Sequence, residues 1–171
     1  MKEGEFKLTF AYGSNMCSGW LLKRVPGATY QGVASLAEHQ LRFHKRSRDD
    51  SGKGDAWETG ESNDKVWGVV VRVPAEEKPA LDRAEGLGRG YTEKCVSVVD
   101  EGGATHAVWT YVATDSHIDR ALRPYQWYLD LVVRGAERHG IQDEYVEMIR
   151  ATRVIDDPSP GRRSEAQVEC A

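Results

Sequence analysis

The chain has 171 residues, a formal charge of −4 at pH 7 and a pI near 5.8, a size and balance that fit one soluble domain with its own core. An acidic balance gives no general purchase on nucleic acid, and no apolar run approaches the ~20 residues needed to span a bilayer. The amino terminus, Met1-Lys2-Glu3-Gly4-Glu5, is charged where a signal peptide needs an apolar core, and Cys17, Cys95 and Cys170 are scattered and odd in number. Both features point to a cytoplasmic protein without a disulfide framework.

In chain order, residues 5–12 alternate like a strand and run into Gly13-Ser14-Asn15. A strand leaving into such a turn exposes successive backbone N–H groups, a concavity suited to a carboxylate or a developing oxyanion. Residues 16–23 read as a short helix stopped by Val25-Pro26-Gly27, and 28–37 and 40–44 as two further strands. The basic run His44-Lys45-Arg46-Ser47-Arg48, cancelled at once by Asp49-Asp50, reads as a solvated loop. It opens a polar, glycine-rich excursion over 45–64, in which Trp57 either packs the segment onto the body or walls a pocket.

Residues 65–73, KVWGVVVRV, carry the strongest strand signal in the chain. A helix is expected from Pro74 to Glu85, with Glu76 and Glu77 in its first turn, before the reversal at Gly86, Gly88 and Gly90. Strands at 91–99 and 105–113 are joined by a hairpin turn at Asp100-Glu101-Gly102-Gly103. Helices follow at 124–139 and 143–154, the second with Tyr145, Met148 and Ile149 on its apolar side. Residues 1–155 thus form a single domain, and 156–171 read as a mobile tail. Strands first and helices last make the class α+β, with a mostly antiparallel sheet or barrel.

Glu85 is the leading candidate for chemistry. It closes a helix at the end where the dipole is negative, so an inward-turned carboxylate there acquires a raised pKa and becomes a general base or acid. Asp82, Glu76 and Glu77 carry no such tension. Ser14 lacks both a G-x-S-x-G elbow and a suggested His–Asp pair, which disfavours a serine nucleophile. No His or Cys pair has metal-ligand spacing, and the glycines after Glu85 follow a helix rather than a strand. No metal and no cofactor are therefore expected.

F-A-Y-G-S-N-M at 10–16, V-W-G-V-V at 66–70, L-D-R-A-E-G at 81–86 and Y-L-D-L-V-V-R-G-A-E-R-H-G-I at 128–141 stand in that order. Together they resemble the γ-glutamylcyclotransferase family, including its AIG2-like and butirosin-pathway members, over roughly residues 6–150. The turn reads YGSN rather than the Y-G-S-L of the glutathione-specific branch, which points away from that branch. The resemblance implies a small mixed, mostly antiparallel β-barrel with flanking helices and a pocket at its mouth. It implies that Glu85 is catalytic and that Phe10, Ala11, Tyr12, Gly13, Ser14 and Asn15 bind the glutamyl portion of a small-molecule γ-glutamyl substrate. Tyr91 and Tyr128 fall on pocket tyrosines. The chain departs from the family pattern at Thr9, where many relatives carry an aromatic residue, and in the charge of 45–64. The alternative is a non-catalytic module that keeps the pocket for a small carboxylate. A monomer or a homodimer is compatible with either.

Overall fold

In chain order the elements are β1 (Phe6–Ala11), a 3-10 turn (Ser14–Met16), α1 (Ser18–Leu21), β2 (Thr29–Ala37), β3 (His39–Arg46), β4 (Gly52–Glu58), β5 (Lys65–Pro74), α2 (Lys78–Glu85), β6 (Tyr91–Asp100), β7 (Thr105–Ala113), α3 (Gln126–Arg138), α4 (Asp143–Arg150) and α5 (Pro160–Glu165). They come from a computed structural model that describes residues 4–171. Met1-Lys2-Glu3, part of the terminus read as too polar for a signal peptide, lie outside the described residues. Among the described residues no helix is long and apolar enough to cross a membrane.

β5 explains the architecture. Its run of valines is apolar on both faces because both faces are buried. Val66 and Val70 point with Phe10, Leu36, Val98 and Val108 into the interior of a closed five-stranded barrel ordered β1-β5-β2-β6-β7. Val69, Val71 and Val73 face the other way, onto Leu129, Val132, Val133 and Ala136 of α3. Each such valine is worth ~1.5–3 kcal/mol of apolar burial, so the strand stabilises two cores at once. The barrel is antiparallel except where it closes: β1 meets β7 in parallel at Thr9 and Trp109.

Several sequence expectations shift. The 45–64 excursion holds β4 and the last two residues of β3, which pair as a two-stranded sheet outside the barrel, and the strand expected at 40–44 is the body of β3. The basic run is not a solvated loop, because His44 and Lys45 are buried at the end of β3, with His44 Nε2 2.7 Å from Asp55 Oδ2. Trp57 is half-buried under the guanidinium groups of Arg42 and Arg120, which is packing rather than a cavity wall. The helix expected from Pro74 begins at Lys78, since Pro74 still pairs with Phe6 and β5 runs on to it. Pro79, not Pro74, occupies the first turn, and Glu77 turns away to accept from the Gly27 N–H. Residues 16–23 hold only one turn of helix. On α4 the buried face is Tyr145, Val146 and Ile149, while Met148 is exposed.

The cysteine reading is corrected: Cys17 and Cys170 form a disulfide across a sequence separation of 153, leaving Cys95 free and exposed. Where the sequence predicts a mobile tail, the structure places α5 and an irregular end that packs Ala166, Val168 and Cys170 against Trp20, Trp127 and Leu131. Ser159 caps α5, and the buried Asp157 takes two hydrogen bonds from Arg162 and one from Trp127.

Candidate active site

β1 delivers Phe10 and Ala11 to the rim of the barrel, and the chain then breaks into Tyr12, Gly13 and the 3-10 turn at Ser14–Met16. This loop is held from outside. Tyr30 donates to the Asn15 carbonyl at 2.7 Å, and His139 Nε2 lies 2.9 Å from the Met16 carbonyl. α3 presses on it through Gly135, where a Cβ would sit 2.7 Å from the backbone of Met16 and Cys17. Among the described residues, the backbone N–H groups of Gly13, Ser14 and Asn15 donate to no protein acceptor. That is the ordinary state of a helical turn's first amides, and it leaves them available to a ligand.

Glu85 is the last residue of α2, and Gly86 follows in the left-handed region (φ 77°), the conformation that lets the chain reverse there. The reversal turns the Glu85 side chain inward, where Oε1 accepts from Asn15 Nδ2 at 2.6 Å. Among the described residues Asn15 Oδ1 is buried without a partner, an acceptor left over beside the carboxylate. Burial pushes the Glu85 pKa above the usual carboxylate range, opposed by the Asn15 hydrogen bond and by the charges of Arg24, Lys45 and Lys78. Asp82, one turn earlier, behaves oppositely: burial raises it, but hydrogen bonds from Lys78 and Tyr111 hold it below its ordinary value. The helix end thus places Glu85, while desolvation does most of the tuning.

All nine residues singled out in the sequence line one small cavity of about 40 Å³. Tyr128 comes from α3, and its hydroxyl accepts from the Gly54 N–H at 3.0 Å; Tyr91 comes from β6 and donates to the Gly54 carbonyl. Burial raises the pKa of both, so both stay neutral donors at physiological pH. Tyr12 donates to the Tyr111 carbonyl. Two lining residues had not been singled out, Gly54 and Tyr111. Gly54 sits inside the polar, glycine-rich excursion, which carries no strand signal in the sequence. Tyr111 belongs to a strand whose tyrosine had no positional signal. Behind it, Lys78 is buried, donates to the Tyr111 hydroxyl at 3.0 Å and lies 2.7 Å from Glu93. Among the described residues no group of His, Cys, Asp or Glu side chains is arranged to hold a metal ion.

The mouse protein named γ-glutamylcyclotransferase is 30% identical over 157 residues, a match that takes in 88% of this chain and 80% of the mouse chain. The chain belongs to the γ-glutamylcyclotransferase family. The human protein of the same name is 29% identical over 156 residues, covering 87% of this chain and 80% of its own. A solved structure named γ-glutamyl cyclotransferase superposes with a TM-score of 0.81 at 27% identity, over 91% of this chain and 92% of that one. The model of the AIG2-like family matches residues 65–149, from β5 through α4, a span that holds Glu85, Tyr91 and Tyr128. Within this γ-glutamylcyclotransferase-family barrel, Thr9 lies in the wall opposite Trp109 and does not line the cavity.

Proposed function

We propose that the protein cyclises a γ-glutamyl amine or amino acid to 5-oxoproline and releases the amine, with Glu85 as general base and then general acid. The observation that carries this reading is the Glu85 carboxyl, held at 2.6 Å by Asn15, in a cavity that also presents the free amides of the Gly13–Asn15 loop. The substrate contains its own nucleophile, so the protein has no covalent work to do. The α-ammonium gives a proton to Glu85, and the freed amine attacks the γ-carbonyl to form the ring N–C bond. Glu85 returns that proton to the departing nitrogen as the tetrahedral oxyanion collapses and the amide C–N bond breaks. The ring nitrogen sheds its second proton to the regenerated Glu85 carboxylate, which passes it to the freed amine, so the products are the neutral lactam and the amine as its ammonium. No water is consumed.

The unpartnered Oδ1 of Asn15 is suited to accept from the α-ammonium beside Glu85. Backbone amides on the loop hold the α-carboxylate or the oxyanion, and a well-placed oxyanion donor is worth ~3–4 kcal/mol. Curling the glutamyl chain contributes part of the ~7–11 kcal/mol available from orientation, and Glu85 contributes ~10²–10⁴ in rate. A module that merely binds small carboxylates has no use for a second carboxylate in the same cavity, since like charges there weaken the ligand. The test is incubation with γ-glutamyl dipeptides and detection of 5-oxoproline. Its appearance, with equimolar free amino acid, supports the enzyme; saturable binding with no 5-oxoproline supports the module instead.

A further inference from the structure

Glu85 is a wall shared by two spaces. On one side is the cavity of the Gly13–Asn15 loop; on the other is a roomier basin of about 270 Å³ at the surface. Apart from Glu85 itself, the charged lining of this basin is entirely basic: Lys45, Arg46, Arg48, Arg83 and Arg89, with His117 beside them. The chain as a whole is acidic, so this clustering is local. Arg46 is occupied by Asp119 at 2.6 Å. Among the described residues, no carboxylate lies within ion-pair distance of Lys45, Arg48, Arg83 or Arg89.

Lys45 is the telling member. It is 6% exposed, and its ammonium sits 4.4 Å from the centre of the Tyr91 ring, the same ring that walls the inner cavity. Gly90 makes room for it, since a Cβ there would lie 2.8 Å from Lys45 Cε and 3.1 Å from His117 Cδ2. Burial lowers the Lys45 pKa, opposed first by the Glu85 charge. A desolvated ammonium with no counter-ion is costly unless an anion completes it, and four unpaired cations around one basin repel each other until something offsets them.

With the scissile amide beside Glu85, the glutamyl half occupies the inner cavity and the leaving half projects into the basin. We infer that the leaving amine carries at least two negative charges, as a dicarboxylic amino acid does, and that Lys45, Arg48 and Arg89 select it. One carboxylate satisfies Lys45 at the inner edge; the second reaches the rim, where the arginines stand apart from any acid. The bonds made and broken are those of the cyclisation, so the inference rests on the proposed function and adds the class of leaving group.

The experiment compares kcat/KM for 5-oxoproline release from γ-glutamyl-aspartate, γ-glutamyl-alanine and γ-glutamyl-alaninamide, whose leaving amines are dianionic, monoanionic and neutral. The expected order is that order, with about tenfold or more between the first and the last, because the ion pairs form in a partly desolvated site. In Arg48→Gln and Arg89→Gln, both at exposed positions, the dianion-to-neutral ratio falls towards one, and raising the salt concentration does the same in the wild type. Equal kcat/KM for the three substrates overturns the inference while leaving the cyclisation intact. A preference that survives unchanged in the Arg48→Gln, Arg89→Gln double variant overturns its assignment to the basin. Absence of 5-oxoproline from all three overturns the cyclisation and the inference together.

Discussion

At the scale of single residues, the Glu85–Asn15 contact fixes what pH should do. The raised Glu85 pKa means that the folded chain binds a proton there more tightly than the unfolded chain. Its contribution to stability is therefore full below the ordinary carboxylate pKa and is lost as pH rises through the folded value. Glu85→Gln removes that loss, so its thermal midpoint should exceed the wild type's at pH 7 and match it in acid. With Glu85 as the proposed base, the same shift should place the acid limb of kcat/KM above the ordinary glutamate range. A limb at an unperturbed carboxylate value would contradict the desolvation argument. Tyr128→Phe tests the opposite wall. It leaves the buried Gly54 N–H without an acceptor, which costs ~1–3 kcal/mol, and should also raise KM. A change in melting temperature with no change in KM would make Tyr128 a core residue only.

Elements decide whether those residues meet. Gly135 lets α3 lie against the 3-10 turn, and here two magnitudes oppose. Alanine gains ~1 kcal/mol of helix propensity, but its Cβ would press on backbone atoms of Met16 and Cys17, which cannot rotate away. Overpacking of that kind costs ~1–3 kcal/mol, so Gly135→Ala should destabilise on denaturant titration and displace Asn15 from Glu85. A more stable, fully active variant would show that the close approach is not needed. The elements also explain what was legible in the sequence. β1, β5 and the reversal after Glu85 follow from alternation, a valine run and Gly86, and these three bring the loop and the carboxyl to one cavity. β3 is legible at 40–44, but β4 and its pairing with β3 are not. β4 is polar, and its burial comes from partners far along the chain: Lys53 against Trp127 and Tyr128, and Asp55 accepting from the Ala113 N–H. The basic basin was missed for the same reason, because Lys45, Arg83 and Arg89 converge only once the barrel closes.

For the whole molecule, the tail is the main addition. Its few apolar residues, Ala166, Val168 and Cys170, find their partner surface on α1 and α3, which nothing in the tail's own sequence reveals. The expectation of a cytoplasmic protein leaned on unpaired cysteines, and the Cys17–Cys170 pairing removes that support. A cross-link over this span limits the unfolded chain by up to ~5 kcal/mol in the chain-entropy account. Cys170→Ser should accordingly lower the denaturant midpoint, and reductant should lower that of the wild type but not of the variant. Three titratable thiols in the unreduced, denatured wild type would contradict the pairing.

The proposed cyclisation rests on one carboxyl across a small cavity from one loop. Single-turnover release of 5-oxoproline from a γ-glutamyl amino acid, measured side by side for wild type and for Glu85→Gln with verified fold, tests it most directly. The expected result is a loss of ~10²–10⁴ in rate with substrate still bound. Equal rates from the two folded proteins would remove Glu85 from the chemistry.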